Sequence, residues 1–479
     1  MNLPNYFLAD LPPEATLSPA MMAEACQTLK RNREQYLAHR STQSLVNLLS
    51  EVAESWLQPD YPFRKLALAH ASAGVGVQAS ACSPDTLKCE LQLQAPAPSV
   101  GFSQATLARG LDSFFKQLTP ENFHALLIQE LGHAHRLDDM VANSAEQKLN
   151  RAAMAQAPEF IFHIAAGNIP NPTLMSIALG VLTRSAQFVK CASGASFLPR
   201  LFAHSLYEVE PKLGACLEIA EWHGGHAALE ETLFAEADCV TATGSDETLD
   251  KIRKHLPAKV RFLGYGHRVS FGYVTGEALS GFGAKKIISR AADDVVAWDQ
   301  QGCLSPHVIY VEHGGHVSAE GFAEMLAEEL ARRETTEPRG QLSLEAAATI
   351  ASRRGFYEVR AAHSPEATRH WCSEGSTAWT VVYESDQRFQ MSCLNRFIYV
   401  KGAADLTEAL QSADAVRGKV STVGLAAMDD KAEKLAAQLA RWGVTRVCPL
   451  GQMQNPPLTW RHDGRPSLGD LVTWTDFEQ

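Results

Sequence analysis

At 479 residues, 46% of them hydrophobic, the chain exceeds one ordinary core and can bury two or three. A formal charge of −11 leaves no basic stripe for releasing counterions from a phosphate backbone, so nucleic-acid tracking is excluded and small-molecule chemistry is left. The 10 cysteines are scattered singly with no Cys-x-x-Cys pair, which excludes a zinc ribbon or a disulfide framework and predicts no metal site.

The N-terminal residues lack a basic n-region and an uninterrupted apolar h-region, and the longest apolar run, Leu174 to Leu182, is broken by Ser176 and Gly180. A cytoplasmic protein without a membrane span is expected. Leu45, Leu48, Leu49, Val52 and Trp56 recur at helical spacing. Leu107, Leu111, Phe114, Phe115 and Leu118 do the same after Ser103, a candidate N-cap. Thr119 and Pro120 form an N-cap and N1 pair before Phe123, Leu126 and Leu127. Residues 1–150 therefore read as a helical region packed on the domain that follows.

From Phe160 short apolar runs alternate with amphipathic stretches, as in a doubly wound α/β sheet. Strands are expected at Phe160 to Ala166, Gln187 to Lys190, Leu217 to Ala220, Cys239 to Ala242 and Val260 to Leu263. Helices are expected from Asn171, from Leu198 to about Leu213, and over Asp246 to Leu256. This pattern assigns residues 151–274 to a Rossmann-like nucleotide domain. The turn-rich stretch Thr275 to Gly283 marks a boundary, and residues 275–447 form a second α/β domain. In it His307 to Val311 and Phe397 to Val400 read as strands, Glu320 to Arg333 as a charged helix and Glu334 to Gln341 as a loop. The tail 448–479, rich in Pro, Gly and Trp without periodicity, is expected to return over a domain or subunit boundary.

There is no Gly-x-Gly-x-x-Gly. In its place one strand runs into Ala166-Gly167-Asn168-Ile169-Pro170, the next ends in Phe188-Val189-Lys190, and a later one ends in Thr243-Gly244-Ser245 before a helix. These are strand carboxyl ends, where open α/β sheets bind ligands. In order and spacing, with a cysteine about sixty residues beyond Ser245, they resemble the aldehyde dehydrogenase superfamily. The strings Phe-His-Ile-Ala-Ala-Gly-Asn-Ile-Pro-Asn-Pro, Gly-His-Arg-Val-Ser-Phe-Gly and Trp-Asp-Gln-Gln-Gly-Cys-Leu-Ser-Pro resemble its LuxC-type acyl-CoA reductase branch. So does the closing Gly-Gln-Met-Gln-Asn-Pro-Pro-Leu-Thr-Trp-Arg-His-Asp-Gly-Arg-Pro. The likeness runs from about Gln43 to Phe477. It implies an aldehyde dehydrogenase-like fold of two doubly wound α/β domains with an N-terminal helical region.

The resemblance also assigns chemistry. Cys303 becomes the nucleophile that takes the acyl group, since a thiolate exchanges with a thioester at little energetic cost. Asn168 becomes the side-chain amide facing the oxyanion, a contribution on the order of 3 kcal/mol to the barrier; its alternative is a turn residue before Pro170. Lys190 matches the lysine on the adenosine ribose. Three residues later the usual acid is replaced by Ser193, which relieves repulsion against a 2′-phosphate and favours NADPH over NADH. Arg200 either assists there or solvates a helix face. Gly244 and Ser245 approach the pyrophosphate or simply cap a helix. His267 and Arg268 stand near the cofactor, with His267 as a proton donor, or are structural. His163, His307 and Cys191 read as core residues.

Two departures bear on the reaction. The Glu-Leu-Gly-Gly motif that activates water in oxidising relatives is missing, Glu277 being the nearest candidate, and so is the Glu-x-Phe-Gly-Pro ribose anchor near Arg388 to Leu394. A reductase gains nothing from a water-activating base, because hydrolysis diverts the acyl group from hydride. The resemblance implies NADPH-dependent reduction of a fatty acyl-CoA or acyl-protein thioester to the aldehyde. It also implies an acyl-protein synthetase or acyl carrier as partner, and a homo-oligomer. The alternatives are an oxidative aldehyde dehydrogenase using Glu277, and an acyltransferase subunit that holds a thioester without hydride transfer.

Overall fold

The computed structural model describes residues 3–12, 14–71, 101–280 and 283–479. It divides into two compact units, Met1–Ala67 with Leu111–His267 and Pro456–Gln479, and Leu68–Gly110 with Arg268–Asn455.

The first unit is built on five parallel strands, β2 (Phe160–Ile164), β3 (Ala186–Cys191), β4 (Leu217–Glu221), β5 (Cys239–Thr243) and β6 (Arg261–Tyr265), in the order β4-β3-β2-β5-β6. The chain steps outward from β2 to β4 on one side and then resumes at β5 on the other. The sheet thus has a topological switch point between β2 and β5, where ligands bind in folds of this kind. Phe160, Phe162 and Phe188 bury against Met22, Cys26 and Leu29 of helix Pro19–Tyr36 and against Leu233 and Phe234 of helix Ala227–Glu236. Covering helices explain why β2 and β3 are buried almost throughout instead of alternating, with His163, Gln187 and Lys190 their polar members. Helix Thr42–Leu57 closes over helix Phe197–Val209, with Trp56 Nε1 donating to Ser205 Oγ at 2.9 Å. His163, inside β2, is fully buried between Thr241 Oγ1 at 2.7 Å and Gln187 Oε1 at 3.1 Å, and desolvation pushes its pKa down to about 4. It is a neutral core histidine.

The expected caps form as read. Ser103 Oγ accepts the N–H of Thr106, and Thr119 Oγ1 accepts that of Asn122 ahead of helix Pro120–Leu131. The helix expected to run to Leu213 breaks at Glu210, because Pro211 has no N–H to continue it and starts a short turn of its own, Pro211–Gly214.

The second unit holds seven strands in the order β13-β12-β7-β8-β11-β10-β9. They are β7 (Val269–Val274), β8 (Pro306–Glu312), β9 (Thr368–Cys372), β10 (Thr380–Glu384), β11 (Phe397–Ala403), β12 (Val420–Ala426) and β13 (Arg446–Pro449). All pair in parallel except β9, which runs antiparallel to β10 at the edge. One core joins this sheet to helices Gly283–Val296 and Ala319–Thr336, and a second joins it to helices Leu344–His363, Leu406–Ser412 and Asp429–Trp442.

Three placements differ from the sequence reading. Val269–Val274, expected in the nucleotide domain, lies between β8 and β12 in the second sheet, and the two units divide between His267 and Arg268 instead of at residue 275. Only three residues, Gly266 to Arg268, separate β6 from β7, too few to show as a linker, while the turn-rich Thr275 stretch merely leaves the end of β7. The described residues within 68–110, namely 68–71 and 101–110, group with the second unit, not with the nucleotide domain. The tail divides after Asn455 and contains a strand, β14 (Thr473–Glu478), antiparallel to β1 (Arg151–Gln156). All six residues of β14 are exposed, so no apolar face marked it in the sequence. Among the described residues no helix is long and apolar enough to cross a membrane.

Candidate active site

Cys303 sits in the turn Gly302–Ser305 immediately before β8. Its carbonyl accepts a 2.8 Å hydrogen bond from Ser270 Oγ of β7, and Ser270 Oγ in turn accepts the N–H of Thr422 in β12 at 3.2 Å. Gly302, Leu304 and Ser305 are buried, whereas Cys303 is partly exposed. On the other side, Gln454 Nε2 donates to Ser305 Oγ at 2.5 Å and lies where a side chain on Gly302 would begin, 2.4 Å from an added Cβ. Glycine at 302 is what lets that amide close on the turn. The backbone on either side of Cys303 is thus held while the residue itself stays partly exposed, an arrangement that suits a nucleophile.

Ahead of this turn Trp298, Asp299 and Gln300 take φ of 51°, 49° and 63°. Asp299 is bound by Arg396, with Nε at 2.9 Å and Nη2 at 2.7 Å from Oδ1, and the Gln300 amide donates to the carbonyls of Pro306 at 2.7 Å and Phe397 at 2.9 Å. Ser270, Asp299, Arg396 and Gln454 were not singled out from the sequence. Ser270, Asp299 and Gln454 lie within the quoted strings, but nothing in spacing shows what they bind.

In the first unit, Asn168 lies exposed in the bend after β2. Lys190, next to last in β3, is 5% exposed, its ammonium 5.9 Å over the Trp222 ring and given no hydrogen bond by the described residues. Desolvation lowers its pKa, opposed by Glu230 and Glu221. A buried, under-paired ammonium at a strand's carboxyl end suits a hydroxyl-rich or anionic ligand such as an adenosine ribose, so a dinucleotide fits these residues. Ser193 is exposed in the next turn. The carboxylate absent there is supplied by Glu221 of β4, which accepts the N–H groups of Gly194 at 2.7 Å and Ser196 at 3.2 Å. Ser245 caps helix Asp246–His255 through Thr248 N–H at 3.2 Å, and the Gly244 N–H is spent on the Tyr265 carbonyl at 3.1 Å. Capping is therefore what this pair visibly does. The sheet gathers Asn168, Lys190, Ser193, Gly244 and Ser245 along its carboxyl edge, with Asn168 and Gly244 following the two strands that flank the switch point.

His267 donates its backbone N–H to Asp246 Oδ1 at 3.1 Å and ends the first unit, while Arg268 begins the second. Glu277 follows β7 in a short turn, exposed and paired with Lys431 at 2.5 Å.

A model of the family described as acyl-CoA reductase (LuxC) matches residues 87–474. The chain belongs to the LuxC acyl-CoA reductase family. The long-chain acyl-protein thioester reductase of Aliivibrio fischeri is 25% identical over 362 residues, covering 73% of this chain and 69% of that one. That of Vibrio harveyi is 24% identical over 324 residues, covering 66% and 64%, so the match spans about two thirds of these relatives. Among solved structures, an NAD-dependent benzaldehyde dehydrogenase from Corynebacterium glutamicum has a TM-score of 0.64 at 13% identity over 97% of this chain and 91% of that one. A bifunctional proline utilization A protein has a TM-score of 0.67 at 14% identity, over 99% of this chain and 46% of that one. The fold is aldehyde dehydrogenase-like.

Within this LuxC-family chain the described cysteines sort by environment. Cys26, Cys191, Cys216, Cys239 and Cys448 are buried, and desolvation pushes each up to about 12, which keeps the thiol protonated and inert. Cys393, partly exposed, is also raised by burial. Cys372 lies on the edge strand β9. Cys82 and Cys89 lie outside the described residues. Among the described cysteines, Cys303 alone joins partial exposure to a turn anchored on both sides.

Proposed function

We propose that this LuxC-family chain reduces a long-chain acyl thioester to the aldehyde through an acyl group carried on Cys303. The observation that carries the reading is the thiol presented from a turn tied to β7, β12 and Gln454. The Cys303 thiolate attacks the thioester carbon, a new S–C bond forms, and the donor thiolate departs and takes a proton. NADPH, when bound, supplies the hydride for the resulting enzyme thioester. The thiohemiacetal alkoxide left by that hydride collapses as its C–S bond breaks, releasing aldehyde and regenerating the Cys303 thiolate, so that the one proton taken up overall is the one on the departed donor thiol. Asn168 is the side-chain donor assigned to the oxyanion and Lys190 the contact to the adenosine ribose; Gly244 and Ser245 remain the pyrophosphate candidates. The preference for NADPH rests on Ser193 and Lys190 and is opposed by Glu221, whose charge is partly met by the two backbone donors.

The donor is acyl-CoA or an acylated protein, the second suggested by the names of the relatives. Supplying each donor with NADPH or NADH and measuring fatty aldehyde by gas chromatography tests the reading. Aldehyde is expected with at least one donor, faster with NADPH. Acid formation from aldehyde and NADP⁺ in the absence of CoA would favour the oxidative alternative with Glu277 as base, and that carboxylate is engaged by Lys431.

A further inference from the structure

Two stretches of the second unit adopt a backbone that L-residues avoid in series. Trp298, Asp299 and Gln300 stand at φ 51°, 49° and 63°, and Leu394, Asn395 and Arg396 at 57°, 55° and 65°. None is glycine, and left-handed conformation in such residues is ordinarily confined to single positions. The two turns face each other and are tied residue by residue. Arg396 Nε donates to Asp299 Oδ1 with Nη2 in ion-pair contact with the same oxygen, Gln301 Nε2 donates to Asn395 Oδ1 at 3.2 Å, and the Gln300 amide reaches Ser392 Oγ at 3.4 Å as well as the Phe397 carbonyl. The ion pair is desolvated, the two side chains being 1% and 2% exposed. Asp299 Oδ2 also accepts the Gly340 N–H at 3.0 Å, and Arg396 Nη1 binds the Glu337 carbonyl at 2.8 Å and Glu334 at 3.1 Å. The Trp298 ring fills the space left by the missing side chain of Gly110, whose added Cβ would stand 2.1 Å from it.

Neither feature is an economical source of stability. Strained backbone persists only where its surroundings over-determine it, and an apolar turn generally replaces a buried ion pair at no loss. What the pair does fix is geometry, and the first turn ends three residues before Cys303. We propose that Asp299 and Arg396 are positioning residues that clasp the two left-handed turns and so set where the Cys303 sulfur stands. The inference rests on Cys303 being the nucleophile.

The test uses the full-length protein. Asp299→Asn keeps the shape and a residue that tolerates positive φ but removes the charge; Arg396→Lys keeps the charge but loses the fork. At a temperature where circular dichroism shows each variant folded, acylation by a long-chain acyl-CoA is timed by intact mass spectrometry and KM and kcat are measured. The expected result is a loss in acylation rate and kcat on the order of 100-fold, the effect of roughly 1 Å of misplacement, with KM unchanged and Arg396→Lys less affected than Arg396→Met. Wild-type acylation in folded Asp299→Asn and Arg396→Lys would overturn the clasp. If Asp299→Asn does not fold, folded Arg396→Lys decides by the same readout. Cys303→Ala is run beside them: acyl label on that variant would overturn the nucleophile itself, a result separable from any behaviour of the clasp.

Discussion

Three residues that are not glycine hold positive φ just ahead of Cys303, and each such placement costs roughly 1–2 kcal/mol. Their side chains must offset that cost, and Trp298 does so by burying its ring to 3% exposure against Gly110 and Phe102. Gly110→Ala drives a Cβ into that ring. Overpacking should lower stability by about 1–3 kcal/mol, read as a lower melting temperature in calorimetry, and should slow Cys303 acylation along with it. An unchanged melting temperature would mean the ring moves freely. Gly302→Ala is expected to act on rate, since the displaced group is the Gln454 amide bonded to Ser305. A loss of roughly 10- to 100-fold in single-turnover acylation is predicted with little change in melting temperature. At this scale the nucleophile proposed here was singled out in the sequence, because Trp-Asp-Gln-Gln-Gly-Cys stands as one string. Its supports were not, because Arg396 lies 97 residues from Asp299 and Gln454 lies 149 from Ser305, and pattern within a window says nothing of such partners.

Strand β2 carries a pH dependence of its own. His163 titrates near 4 in the folded sheet against an ordinary 6.5, so between those values only the unfolded chain takes up the proton. The stability owed to the neutral ring is whole above pH 6.5 and is lost as pH falls toward 4, by about 3 kcal/mol. Urea unfolding of His163→Gln at pH 7 and pH 4 should show a correspondingly smaller drop than the wild type; equal drops would place the acid sensitivity elsewhere. The five strands of the first sheet were read from short apolar runs, which burial on both faces favours in the central strands β2 and β3. Strand β7 was found as a string but assigned to the wrong sheet, because its partners β8 and β12 lie far along the chain and a three-residue connection bears no linker composition. Strand β14 escaped notice for the opposite reason: it is exposed throughout and obeys no periodicity.

For the whole molecule, the net charge of −11 and the under-paired Lys190 together set an expectation for the cofactor. A ligand that binds only the folded state stabilises by about 2.7 kcal/mol at a hundredfold excess over its Kd, so NADPH should raise the unfolding midpoint and Lys190→Met should abolish most of that rise. No shift with either nicotinamide nucleotide would favour an acyl-holding subunit over a reductase. The proposed chemistry depends most on a covalent acyl group at one sulfur. Intact-mass analysis after mixing with a long-chain acyl-CoA should show a single acyl adduct on the wild type that disappears when NADPH is added and aldehyde forms, and no adduct on Cys303→Ala. An adduct of equal yield on Cys303→Ala would contradict it.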